Sequence, residues 1–214
     1  MALSLEREDP MYNFSVPMAL VDYIPVVFFG IAALLLQRDL YNKMCKGAYA
    51  LFAAGTINVF CAGFLKATWK LLYAAGICDF AALSTMFLPV QSIGFLLIGL
   101  GLLGLFSRKT STAILAAPPL FSGTFVFIGM MVAGLGCLCA SLSILAARMK
   151  KAPVIVLFVL AFVGSMGMGY MSSHDSTSAL VNWIEQGINT ASQGCLMAGV
   201  LVLHKAGLKD FSLK

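Results

Sequence analysis

Asn182, Glu185, Gln186, Asn189 and Gln193 place four amides and one carboxyl at offsets of 3, 4, 7 and 11 residues, the spacing that sets side chains on one face of a helix. Val181, Ile184, Ile188 and Ala191 form the apolar opposite face. Amide carbonyls accept hydrogen bonds or coordinate a monovalent ion, amide NH2 groups donate, and a carboxyl carries a charge or a proton. At membrane depth such groups point into a bundle or a wet cavity and mark pathways for solutes and ions. A packing clip between helices needs fewer than five of them, so the stripe is read as a ligand- or ion-binding surface, with contact between copies of the chain as the rival reading.

Four more polar residues interrupt otherwise apolar runs: Asp22, Asn58, Lys66 and Gln91. An unpaired charge in lipid costs about 2.5–3.5 kcal/mol on insertion scales, so Lys66 is expected to pair with Glu185 or Asp22. One cation shared by two acids raises the affinity of one of them for a proton, which suits proton carrying. Deeper in the bilayer, Asn58, Asn189 and Gln193 supply neutral groups for relaying water or holding a small solute. Tyr23 and Tyr170 fall at the same outer depth as the acids.

The elements that must position these groups follow from composition. Of 214 residues, 60% are hydrophobic and 11% charged, and the mean hydropathy is +0.93, far from the roughly half apolar and quarter charged balance of soluble domains. The chain reads as an all-α, polytopic transmembrane bundle in a plasma (inner) membrane of prokaryotic type. Residues 1–16 form an N-terminal tail, 17–204 one helical domain and 205–214 a cytoplasmic tail. The opening residues carry Glu6, Glu8 and Asp9 and lack the basic start of a cleaved signal, so the first helix is expected to stay as an anchor. Five runs meet the length of about 20 residues that a crossing needs: 17–37, 47–66, 82–106, 153–171 and 179–204.

Residues 110–147 hold either one crossing or two short ones. Six crossings divide the lysines and arginines nine against five, whereas seven divide them three against eleven. The positive-inside rule therefore favours seven, with the N-terminus outside and the C-terminus in the cytoplasm. Seven requires a short fourth helix holding Pro118 and Pro119, with a break expected near residues 132–136. Gly55, Gly63, Gly94, Gly101, Gly104, Gly164, Gly167, Gly187 and Gly194 are candidates for close helix contacts. Ile24-Pro25-Val26 with Gly30, and Leu88-Pro89-Val90 with Gly94, predict kinks at matching depth in two helices. A duplicated transporter with a linking fourth helix would suit this pattern by analogy.

Enzymatic readings find little support. Two histidines, His174 and His204, make neither a metal cluster nor a helical zinc motif. Ser165 and His174 lack an orienting acid. The six cysteines lack paired spacings and read as packing thiols. No cofactor, metal or nucleic acid is implied, and the partners expected are the lipid bilayer, a small polar solute or ion, and a second copy or a membrane partner protein. The best reading is a transporter or channel-like protein with a polar pocket in its outer half. A ligand-binding sensor or scaffold is the alternative, and the two differ in whether the polar track continues inward or ends on sealed apolar packing.

Overall fold

Two prolines decide where the first and third long helices begin. Pro25 has no N–H to give the carbonyl of Val21, and Pro89 has none for Thr85. A helix loses one bond at each point, and the proline ring crowds the same carbonyl. The computed structural model, which describes residues 15–106, 124–172 and 178–212, breaks at both places. Helix α1 (Val16–Val21) gives way at Asp22 to α2 (Tyr23–Leu40), and α4 (Ala82–Thr85) gives way at Met86 to α5 (Phe87–Phe106). The matched kinks expected from the two proline segments are interruptions at Asp22 and Met86, each three residues before its proline.

The remaining long elements are α3 (Lys46–Ala74), α6 (Thr124–Arg148), α7 (Ile155–Ser172) and α8 (Ala179–Lys205). All regular structure among the described residues is helical. Four helical stretches, Val16–Lys43, Lys46–Ala74, Ala82–Phe106 and Phe125–Arg148, are long and apolar enough to cross a bilayer, consistent with a multi-pass membrane protein. In α7 the apolar stretch is shorter, Ala152–Met168. Helix α8 has the length, 27 residues, but its polar stripe dilutes its hydropathy.

Contacts fix the direction of each helix. Asp22 meets Lys70 and Gln37 meets Thr56, so α2 and α3 are antiparallel. Lys66 lies over Phe87 while Gly101 abuts Ala48, which makes α3 and α5 antiparallel. Gly134 abuts Phe95 and the Arg148 guanidinium sits 5.6 Å from the Phe106 ring centroid, so α5 and α6 run parallel. Phe158 packs on Gly199 and Ser192 on Gly164, making α7 and α8 antiparallel. Phe28 meets Gly194 and Asp39 meets His204, so α8 runs parallel to α2.

The long helices close into a ring, α2, α3, α5, α6, α7, α8 and back to α2. It consists of two three-helix units with the same sequence of directions. Each unit's third helix, α5 or α8, packs against the first helix of the other, α6 or α2. One end of the bundle carries Asp22, Lys70 and Ser178. The other carries Asp39, Phe106, Arg148 and His204. Ser15 and Leu208 consequently lie at opposite ends.

The apolar run that holds the crossing expected at 47–66 is overlong, and its helix continues to Ala74, short of the turn expected at Asp79; Lys70 pairs there with Asp22, and the Trp69 indole N–H donates to Asp79 at 2.9 Å. One expectation is corrected: there is no break at 132–136, where α6 is continuous. Its glycines serve packing there: a Cβ on Gly134 would run into the Phe95 backbone, and one on Gly136 would touch Phe162 at 3.6 Å. Pro118 and Pro119 lie outside the described residues.

Backbone contact is closest around α5. A Cβ on Gly55 would stand 2.6 Å from the Gly94 carbonyl oxygen, and one on Gly101 would stand 2.8 Å from that of Ala48. Gly167 and Gly187, also expected at helix contacts, have open space instead. Gly55→Ala and Gly134→Ala should each destabilise the bundle by about 1–3 kcal/mol through forced separation of backbones. Gly187→Ala should be neutral or stabilising by up to about 1 kcal/mol. Thermal unfolding in detergent checks both, and equal melting points for all three variants would contradict the packing.

Candidate ligand-binding cavity

The α8 stripe faces inward. Asn182 and Gln186 are buried, Glu185, Asn189 and Gln193 are half-buried, and Trp183, Ile184 and Ala191 on the far side are exposed. Asn182 is occupied locally, its Nδ2 donating to the Ser178 carbonyl at 3.1 Å in the first turn of α8. Ser192 points at α7, bonds the Ile188 carbonyl at 2.7 Å, and fits only because Gly164 has no side chain.

Midway through the bundle, Asn189 and Gln193 from α8 meet Gln91 from α5 around a cavity of about 60 Å³. Its walls come from five helices: Pro25, Val26 and Phe29 of α2, Val59, Phe60 and Gly63 of α3, Phe87 and Phe95 of α5, and Met168 of α7. The cavity sits just inside the two proline breaks. Phe29 and Phe95 meet edge to face at 6.2 Å between centroids, which fixes the ring orientations at its base.

The Oε1 atoms of Gln91 and Gln193 are fully buried and have no hydrogen-bond partner among the described residues. The same holds for Gln186 Oε1, Thr190 Oγ1 and Ser92 Oγ. An unsatisfied buried acceptor costs about 1–3 kcal/mol, and a polar space of this size has room for water or another small donor. Helices α5 and α8 occupy corresponding places in the two three-helix units, so the facing amides come from corresponding helices.

Toward the Asp22 end, charged groups form a rim. Lys70 Nζ lies 2.8 Å from Asp22 Oδ2, tying α3 to the break between α1 and α2, and both side chains are nearly buried. Tyr23 and Thr68 share a hydrogen bond of 3.0 Å beside this pair. Lys66 lies one turn nearer the cavity, with its ammonium 4.1 Å from the Phe87 ring centroid. The charges of Lys70, Asp22 and Glu185 all act on it.

The expected pairing is thus corrected in part. Lys66 shares the rim with Asp22 and Glu185, but the close partner of Asp22 is Lys70, because the unbroken α3 carries Lys70 one turn further toward Asp22. Asn58 is half-buried and does not line the cavity. The side chain of Tyr170 lies outside the described residues.

Sequence reasoning placed Lys70 at the membrane interface without a role in the site, and missed Thr190 and the clip in which Gln37 Nε2 donates to Thr56 Oγ1 at 2.6 Å. The spacing of Lys70 from Lys66, one helical turn, was the available signal.

The polar track does not continue inward through the bundle. Beyond Gln193 the interior is filled by Phe52, Ile98, Leu102, Leu196, Val200 and Leu203, all buried. Polar contact resumes at the far end, where His204 Nδ1 meets the buried Asp39 Oδ2 at 2.7 Å. Gly207, at φ +84°, ends α8 beside this pair, with the N–H groups of Gly207 and Leu208 returning to the carbonyls of His204 and Leu203 at 3.0 and 3.1 Å.

Breaking one side of a buried ion pair costs about 3–5 kcal/mol, whereas replacing both sides with uncharged groups is close to neutral. Lys70→Met should therefore lower thermal stability in detergent strongly. The Asp22→Asn/Lys70→Met double variant should recover most of the loss. A double variant no more stable than Lys70→Met would show that the pair contributes little. Comparison with protein-family models, with curated proteins and with solved structures found no match to this chain, so its function has to be read from the bundle itself.

Proposed function

We propose that the chain is a seven-crossing carrier in a plasma (inner) membrane, N-terminus outside and C-terminus cytoplasmic, that binds a small polar solute or ion between Gln91, Asn189 and Gln193. The observation that carries the reading is a pair of glutamines that line one cavity where five helices meet and whose buried amide oxygens have no partner among the described residues.

Seven crossings are supported by the parallel run of α5 and α6. The chain leaves α5 at Phe106, at the Asp39 end, and enters α6 at Thr124, at the Asp22 end. Orientation is supported by charge. Arg38, Lys43, Lys46, Arg148, Lys150, Lys151, Lys205 and Lys209 gather at the Asp39 end, against Lys66 and Lys70 at the other, which by the positive-inside rule supports a cytoplasmic Asp39 end.

The sealed apolar packing beyond Gln193 is what the sensor reading expects; support for transport comes from the repeat of one three-helix unit in the same sense. Bundles of this kind move solutes by rocking one repeat against the other around a site between them, and the facing amides of α5 and α8 occupy such a place. The apolar packing beyond Gln193 is then the closed inner gate. The Asp39–His204 pair joins α2 of one unit to α8 of the other on the cytoplasmic side of that gate. The sensor reading takes the same apolar floor as permanent.

The test is flux into proteoliposomes for ammonium, potassium, urea and glycerol, each alone. At least one should enter faster than in protein-free vesicles. Gln193→Met and Gln91→Met should cut that flux at least tenfold with the melting point little changed, and Asp22→Asn or Glu185→Gln should lower it as well. No flux of any solute, or full flux in both glutamine variants, would overturn the carrier reading.

A further inference from the structure

We infer that the ligand of the Gln91/Gln193 cavity is a monovalent cation of the alkali or ammonium class, held by amide carbonyl oxygens and phenyl faces without a carboxylate. The inference rests on the cavity being the binding site proposed above.

The lining residues contain no charged side chain. A divalent cation needs carboxylates to offset the loss of its water, and an anion is held best by cationic side chains, which the lining lacks. What the cavity offers instead is the neutral amides of Gln91, Asn189 and Gln193, whose carbonyl oxygens are the kind of group that replaces the hydration shell of a monovalent ion. Gln91 Oε1 and Gln193 Oε1 are buried acceptors without a partner among the described residues.

The aromatic wall adds attraction of the same sign. Phenyl faces attract cations through their quadrupole, and Phe29, Phe60 and Phe87 all line the space. One of these rings already holds a cation, the Lys66 ammonium at 4.1 Å from the Phe87 centroid. At about 60 Å³ the space suits a largely dehydrated ion with a water or two. It falls well below the roughly 300 Å³ at which pockets begin to take larger organic ligands.

The rim makes this electrostatically workable. Lys66 and Lys70 stand against Asp22 and Glu185, two charges of each sign acting on one another. An arriving cation therefore meets no net positive rim, and Lys66 is its tethered competitor. Removing the Lys66 charge should tighten binding, and removing the amide oxygens should weaken it.

The experiment titrates potassium, sodium and ammonium chlorides against N-methylglucamine chloride at constant ionic strength, with the purified full chain in detergent, reading the melting point. At least one small cation should raise it saturably. Gln193→Met should shift the midpoint at least tenfold to higher concentration, and Lys66→Met several-fold to lower. Should the variants fail to fold, the wild-type comparison with N-methylglucamine still decides. No cation-specific stabilisation, or an unshifted midpoint in a folded Gln193→Met, would overturn the inference. Stabilisation by urea or glycerol alone, lost in Gln193→Met, would reject the cation while keeping the binding site. No response to either class would remove both.

Discussion

In a bilayer, apolar helix faces gain nothing by leaving lipid for one another, so helices hold together where their backbones approach closely enough for dense van der Waals contact. Here that constraint is met on both sides of α5. Gly55 and Gly94 bring it against α3, and Gly134 brings α6 against Phe95. These contacts place α5 between an antiparallel and a parallel neighbour. From this follow the ring of six long helices and the opposite placement of the two chain ends.

The polar groups use the space that this packing leaves. Close approach of α3 to α5 aligns Gly63 and Phe60 with Gln91, while α8 closes the ring with its amides turned inward. Pro25 and Pro89 interrupt α2 and α5 on the Asp22 side of that level, where a straight helix would otherwise continue to the rim. Charge is confined to the two ends: the four-charge rim on one side and Asp39 with His204 on the other. Between the amide level and the far end the packing is mostly apolar, crossed by the Gln37–Thr56 clip and the buried Ser141. Such a division, neutral acceptors at mid-depth with charges held outside, suits a ligand that must be dehydrated without being trapped.

Much of this arrangement is legible in residue spacing. The inward face of α8 follows from offsets of 3, 4, 7 and 11, and the breaks before Pro25 and Pro89 follow from one missing donor each. Glycine contacts were legible as a class but not individually, since Gly55 is crowded while Gly167 and Gly187 are open. What stayed hidden depended on where helices end. Lys66 and Lys70 read together as side chains reaching for the headgroups, because lysines commonly mark the edge of lipid, yet a partner such as Asp22 lets Lys70 stay inside the bundle. Asn58 could not be separated from Asn189 by depth, because rotation about the helix axis decides which one meets the cavity. The direction of α6 was equally hidden, since glycine at 132–136 is compatible with a turn or with a tight helix contact.

The parallel run of α5 and α6 is the central claim, and single-cysteine labelling tests it directly. In a cysteine-free background, Ile77→Cys, Tyr41→Cys, Lys150→Cys and Lys209→Cys would be exposed to a membrane-impermeant maleimide in intact cells. Ile77→Cys should react from outside, and the other three only after the membrane is opened. Reaction of Lys150→Cys from the same side as Ile77→Cys would mean that α6 runs against α5, and would contradict the account.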